Sequence, residues 1–325
     1  MRVFSLLFLT CSLLGQGCVK RPNSPRWDAL AAETDALGRR VSVREYPRRI
    51  VSLAPSNTEM LLFLGLRDKL VGVTSFYGAP EKLEGVAKIG GYINPSVAKV
   101  ISLHPDLVFA ARGNSRDAIE QLRRQGINVF TLDTRTVSGL LADIKKVGAL
   151  TGRLEEARRL TGEIESEIRE ICQKVAKLSN REKPKVFWIG QEEPLRTAGP
   201  GSLVDELIGL AGGVNVAREE KSRWPSFSME KLVLRDPEVI ILGDDNWENP
   251  ADRVAKALAR FRKNRVWRNI SAVKKGRVYY IPTDVLGQPS PAFVVGLKIL
   301  ARRLHPALFP ELPGEKARAG DGESK

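Results

Sequence analysis

The feature that most constrains this chain is an interruption. Short strand-like runs alternate with helical segments from Arg49 to Leu132, the alternation stops, and it resumes at Lys185. On the first side lie IVSLA from Ile50, KLVGVT (69–74), DLVFA (106–110) and INVFTL (127–132). On the second lie KVFWIG (185–190), EVIIL (238–242) and RVYYI (277–281). Strands separated by helices predict a mainly parallel sheet on each side. Between them, residues 137–178 favour helix, broken only near Leu150-Thr151-Gly152. Leu160, Ile164, Ile168, Ile171 and Val175 form one apolar stripe at helical spacing. A helix of about 25 residues runs roughly 37 Å, enough to cross from one lobe to the next. The expected fold is therefore α/β, with two similar lobes joined by a single long backbone helix and a ligand cleft between them.

An internal repeat supports two related lobes. Ser96-VAKVISLH-Pro105-Asp106-LVF aligns without a gap to Ser228-MEKLVLRD-Pro237-Glu238-VII. Ser56-xx-Glu59 before LLFLGL, spaced as a capping box, has a counterpart in Ser202-xx-Asp205 before ELIGLAGG. Asn94-Pro95 predicts a helix start, with proline at its first position. At 325 residues the chain is long enough for two cores. The boundaries read as a leader over 1–17, a tether over 18–47, a first lobe over 48–150, a linking helix over 151–180, a second lobe over 181–306 and a loose tail over 307–325.

The first seventeen residues, MRVFSLLFLTCSLLGQG, carry Arg2 and then a short apolar run that fits a secretory signal and is too short to span a bilayer. Small residues precede Cys18, as at the lipidation site of a bacterial lipoprotein. Gly15 stands where that pattern has Leu, so a plain secretory signal is the competing reading. Loss of the leader removes Arg2 alone among the charged residues and lowers the formal net charge from +14 to +13. Acids interleave with the bases almost everywhere, and no zinc-finger, basic-zipper or RNP1 pattern occurs, so nucleic-acid binding is not expected. The positive balance leaves membrane surfaces and acidic ligands as partners.

A search for catalytic chemistry finds little. The two histidines, His104 and His305, both precede proline at predicted helix ends, where dipole or capping roles suit them. Cys172 sits beside the apolar stripe and reads as a packed thiol. Asp244-Asp245 suit a cation or simply a loop after a strand. No nucleophile elbow, Walker or dinucleotide fingerprint appears. The chain is not expected to be an enzyme, and no resident cofactor or metal is expected. Phe76-Tyr77, Tyr92, Trp224 and Trp247 occupy loops at lobe edges. Such rings suit either a cleft for a bulky ligand or the cover of a sheet edge.

Taken in order, RRIVSLAPSNTEMLLFLGLRDKLVGVT, IGGYINPSVAKVISLHPDLVF, GSLVDELIGLAGGVNVA, WPSFSMEKLVLRDPEVIIL and SAVKKGRVYYIP resemble the periplasmic substrate-binding proteins of cobalamin and iron–siderophore ABC importers, over roughly residues 48–306. Within that superfamily the chain is most similar to cobalamin-binding proteins. The resemblance implies an extracytoplasmic, lipid-anchored receptor, monomeric, that delivers a metal chelate, foremost a corrinoid, to a permease dimer with its ATPase. A ferric siderophore or haem is the alternative cargo: Arg112, Arg196 and Arg223 would suit an anionic chelate, and Tyr77 or Tyr92 could serve as an axial haem ligand. The resemblance places ligand contacts at Phe76, Tyr77, Tyr92, Trp224 and Asp284. It places permease docking at Glu84 and Glu230 and lipidation at Cys18. Gln288 stands where the family has Arg, and Tyr92 where it has Trp.

Overall fold

The computed structural model describes residues 29–75, 83–243 and 249–310. A hairpin comes first: β1 (Ala31–Thr34) pairs antiparallel with β2 (Arg40–Val43). The first lobe follows as β3 (Ile50–Ser52), α1 (Pro55–Phe63), β4 (Leu70–Val73), β5 (Ala87–Lys88), α2 (Val97–Ser102), β6 (Leu107–Ala111), α3 (Arg116–Arg124) and β7 (Val129–Leu132). Then come α4 (Val137–Thr151) and α5 (Leu154–Val175). The second lobe comprises β8 (Lys185–Ile189), β9 (Gln191–Glu192), β10 (Leu195–Arg196), α6 (Leu203–Leu210), β11 (Val214–Asn215), α7 (Met229–Arg235), β12 (Val239–Leu242), α8 (Pro250–Lys263), α9 (Ser271–Lys274), β13 (Val278–Tyr280), α10 (Thr283–Leu286) and α11 (Phe293–Leu304).

The sheets are parallel and share one plan. The first runs β5-β4-β3-β6-β7 and the second β11-β8-β12-β13, so the second is the first without its outermost strand. Every strand expected from the sequence is present. The two halves of the repeat perform the same structural task in both lobes. Ser96 and Ser228 cap α2 and α7 through Lys99 N and Lys231 N. Each helix is followed by a non-glycine residue in the left-handed region, His104 (φ 46°) and Asp236 (φ 43°). Proline and an acid come next. The Asp106 carboxylate accepts from Arg48 N and Arg49 N, both at 2.8 Å, and Glu238 accepts from Lys185 N at 3.0 Å. The acid thereby pins the entry of the neighbouring strand. The basic side chain there reaches back to the carbonyl end of the helix, Arg49 to Leu103 O and Lys185 to Arg235 O.

Several local expectations are corrected. Residues 31–43, read as tether, form the hairpin: Val41 and Val43 alternate into the core, and buried Asp35 pairs with Arg123 at 2.8 Å. Phe309, read as tail, is buried against the same core. Ser56 does not cap α1, because Pro55 opens that helix and Ala54 is its N-cap. Pro95 does not open α2; it bridges to Gly90, and the helix begins after Ser96.

The predicted long helix is α5, and the expected break before it falls at Gly152. Gly152, at φ 74°, ends α4 and turns the chain into α5, whose 22 residues extend about 33 Å. The apolar stripe lands as expected, with Ile164, Ile171 and Val175 buried and Leu160 and Ile168 partly so. One continuous core threads from Ile50, Phe109 and Phe130 through α4 and α5 to Leu207, Ile241 and Leu300. The outer face of each sheet has its own satellite core, around Val51 and Val108 in the first lobe and Phe187 and Ile240 in the second. At the far end of α4, Val137 N donates to the Glu206 carboxylate of α6 at 2.8 Å, and Lys298 of α11 pairs with Glu167 of α5 at 2.6 Å.

Candidate ligand-binding site

In an open parallel sheet, ligands settle outside the carboxyl ends of the strands, where the connectivity reverses direction. Here the reversals fall between β3 and β6 in the first lobe and between β8 and β12 in the second. The Val137–Glu206 bond joins the chain leaving β7 to the helix that follows β10.

On the first lobe this edge carries Tyr92, in the loop between β5 and α2. The loop is tied from three sides. Ser75 N donates to Gly90 O at 2.8 Å, Ser115 N to Ile93 O at 2.8 Å, and Asn114 Nδ2 to Tyr92 O at 2.5 Å. Asn114 is only 3% exposed; it also donates to Leu53 O at 2.8 Å and accepts from Ala111 N at 2.6 Å, so one amide locks the ends of β3 and β6 to the Tyr92 loop. Burial pushes the Tyr92 phenol above its ordinary value, against a hydrogen bond from the Gly113 main chain, and nearby Asp133 pushes it the same way. The hydroxyl therefore stays protonated at neutral pH. Beside it, the Asp133 carboxylate is shared by Arg112, at 3.0 Å, and Arg135. Partial burial raises that carboxyl, and the two guanidiniums more than offset the rise, leaving it below the usual carboxylate range.

On the second lobe the edge carries two indoles. Trp224 is 42% exposed, and its ring centroid lies 5.8 Å from that of buried Trp188, at 53° between planes. Trp224 stands on a short ladder: Thr197 N donates to Pro225 O at 3.2 Å and Gly199 N to Arg223 O at 2.8 Å. Arg196 pairs with Ser226 at one end of that ladder, and Arg223 lies opposite Gly199 at the other. Trp188 lies across two strand exits that have no room for a side chain; a Cβ on Gly190 or Gly243 would fall within 2.3 and 1.9 Å of its indole. Its indole N–H is buried without a hydrogen-bond partner among the described residues. Asp284, in the first turn of α10 directly after β13, is half-buried at the same edge.

The remaining expected positions divide as follows. Cys18, Phe76, Tyr77, Asp244, Asp245 and Trp247 lie outside the described residues. Glu84 and Glu230 are both exposed, one on each lobe. The Glu230 main chain and Ser228 hold its carboxyl below the ordinary range, as befits the first turn of α7. Burial pushes the Cys172 thiol up, consistent with a packed side chain. His305 closes α11 and shares a hydrogen bond with Gly212 O at 3.1 Å, and His104 follows the end of α2. Among the described residues, no group of three or more His, Cys, Asp or Glu side chains converges on one point, and no helix is long and apolar enough to cross a membrane. Asn114, Gly113 and Trp188 carry no motif and were not singled out by the sequence.

Two α/β lobes on a helical support, with aromatic rings at the strand ends and no catalytic set, define a ligand-binding protein of the two-lobed receptor class. The chain belongs to the periplasmic binding protein family, whose model matches residues 50–285. It is 33% identical over 282 residues to the uncharacterized ABC transporter substrate-binding lipoprotein YvrC of Bacillus subtilis, covering 85% of this chain and 86% of that one. It is 31% identical over 280 residues to the cobalamin-binding protein of Halobacterium salinarum, covering 84% and 73%. Among solved structures, the periplasmic vitamin B12 binding protein of Vibrio cholerae shares the fold (TM-score 0.67, 24% identity, 79% of this chain and 96% of that one). So does a periplasmic heme binding protein of Pseudomonas aeruginosa (TM-score 0.69, 25% identity, 80% and 94%). The chain is thus an extracytoplasmic substrate-binding protein of an ABC importer, and not an enzyme. Proteins of this kind work with a membrane permease and its ATPase.

Proposed function

We propose that the cargo is a corrinoid, foremost cobalamin. The observation that carries this reading is the pair of aromatic walls at the strand ends, the Tyr92 ring on one lobe and the Trp224–Trp188 pair on the other. Large rings on both sides supply contact area to a broad macrocycle with little loss of side-chain freedom. Two relatives, one named a cobalamin-binding protein and one a vitamin B12-binding protein, support it. Asp284 orients the ligand, Phe76 and Tyr77 add to the first wall, and no resident cofactor is needed. Glu84 and Glu230 meet arginines of the permease, Cys18 carries the lipid, and the receptor acts as a monomer. Adding cyanocobalamin to the purified chain should quench tryptophan fluorescence, since Trp224 touches the ligand, and should raise the melting temperature. Trp224→Ala should weaken binding about 30-fold. A chain whose fluorescence and melting temperature ignore every corrinoid would sink the assignment.

A second reading rests on the Arg112–Asp133–Arg135 cluster. Two half-exposed guanidiniums beside Tyr92 suit the carboxylates of a ferric siderophore or of haem. The neutral phenol of Tyr92 is poorly prepared to be an axial tyrosinate, which ranks haem below the corrinoid. Titrations with haemin and with ferric siderophores, run alongside the corrinoids, decide between them.

A further inference from the structure

Gly113 sits in the turn after β6 and is exposed. Its backbone needs no special conformation, since its φ is not in the left-handed region. A Cβ built on it would nevertheless lie 2.1 Å from the Tyr92 hydroxyl oxygen, 2.7 Å from Cζ and 2.9 Å from Cε1. All three of the nearest atoms belong to Tyr92, so the absence of a side chain at 113 serves that one ring. The phenol lies directly on the Gly113 main chain, while Asn114, the next residue, holds the Tyr92 carbonyl. Two adjacent residues thus fix the same tyrosine, one by its backbone and one by its tip.

We infer that Gly113 is the positioning residue of the first lobe's binding wall: its bare backbone is the seat that presents the Tyr92 ring, tip anchored, to the ligand. The inference rests on the binding-site reading above for its ligand, and on geometry alone for the seat. The seat leaves the ring as a contact surface and turns its oxygen to the protein, so the ring offers a flat apolar face beside the Arg112 and Arg135 guanidiniums. Gly190 and Gly243 do the same for Trp188 on the other lobe, so bare strand exits under aromatic rings recur across the site.

The test is a double-mutant cycle between Gly113→Ala and Tyr92→Leu. Leucine lacks the three atoms that a Cβ at 113 would meet. Gly113→Ala alone should weaken cyanocobalamin binding about tenfold, as much as Tyr92→Leu does, and should cost nothing further in the Tyr92→Leu background. Full additivity of the two losses, or undiminished binding by Gly113→Ala, would overturn the inference while leaving the corrinoid reading intact. Failure of the unaltered chain to bind any corrinoid would end that reading instead. The seat is then tested without ligand, by alkaline titration of the phenol absorbance, taking each protein minus its Tyr92→Phe counterpart. The Tyr92 midpoint should lie above the ordinary value of about 10 and return to it in Gly113→Ala as the ring swings into water. An unchanged midpoint would show that the turn, not the ring, gives way. Gly113→Ala should melt within a few degrees of the unaltered protein, so that lost binding reports the ring and not the fold.

Discussion

The two lobes are built alike and finished differently. Both run a cap serine, a short helix, a left-handed residue, a proline, an acid and a central strand, and in both the acid clasps the entry of the strand beside it. At the opposite ends of the same strands the likeness stops. Among the described residues, the first lobe holds one partly exposed ring at this edge, Tyr92, against a turn. The second buries one indole, Trp188, and leans an exposed one, Trp224, upon it. The amino ends of the strands carry the shared stabilising plan, and the carboxyl ends carry what each lobe does with it. A ring whose support is itself in the core is coupled to stability, and a ring supported by a surface turn is not.

That difference can be broken directly. Gly243→Ala would drive a Cβ to 1.9 Å from the Trp188 indole nitrogen inside the core. It should destabilise the protein by about 2–3 kcal/mol, read as a lower denaturation midpoint, whereas Gly113→Ala should be nearly neutral. Equal effects would show that the two seats are mechanically alike. The shared end is tested by the acids. Asp106 accepts two backbone bonds and Glu238 one, so Asp106→Ala should cost about 1.5–2 kcal/mol and Glu238→Ala about half that. Calorimetric melts of both variants check the ratio, and a reversed order would refute the count.

His305 gives a pH test. Burial lowers the pKa of His305, which stays neutral in the fold, against an ordinary value of about 6.5 unfolded. Below that value the unfolded chain takes up more protons, so the stability due to neutral His305 is complete above pH 6.5 and is lost as pH falls from there toward the folded value. Melting temperatures at pH 7.5 and 5.5 should therefore diverge more for the unaltered protein than for His305→Gln. The smallest effect lies at the left-handed positions. His104→Gly should stabilise by roughly 0.5 kcal/mol by relieving its φ of 46°. Asp236→Gly should not, because it surrenders bonds to Ser271 N and Oγ, both at 2.7 Å.

These contrasts also show what a linear sequence discloses. Periodicity and the Ser-to-Pro-acid repeat revealed the strands, the two lobes and the helical support, because each is a pattern among neighbours in the chain. Residues 31–43 escaped because their hairpin has a single alternating strand, Arg40–Val43, and is held by α4 against β1 and by Arg123 on Asp35, both far downstream. Ser56 misled because its cap spacing is genuine and Pro55 pre-empts it. Tyr92 and Trp224 stood out as rings in loops at lobe edges, the resemblance gave them and Asp284 a ligand-contact role, and all three follow strands at the carboxyl edge. Their supports were not reached at all. Nothing adjacent to Gly113 or Asn114 announces a role, since Tyr92 and Leu53 lie 22 and 61 positions from Asn114, and the Trp188 ring meets Gly243 at another strand's exit as well as Gly190 beside it.

The continuous core through α4 and α5 bears on traffic at the membrane. A support packed into both lobes leaves little room for a clamshell motion, so the vacant and the laden receptor have nearly the same outline. If Glu84 and Glu230 dock the permease as proposed, both states present it the same exposed pair. A vacant copy becomes a competitor in the queue, and import should slow when receptors outnumber their cargo.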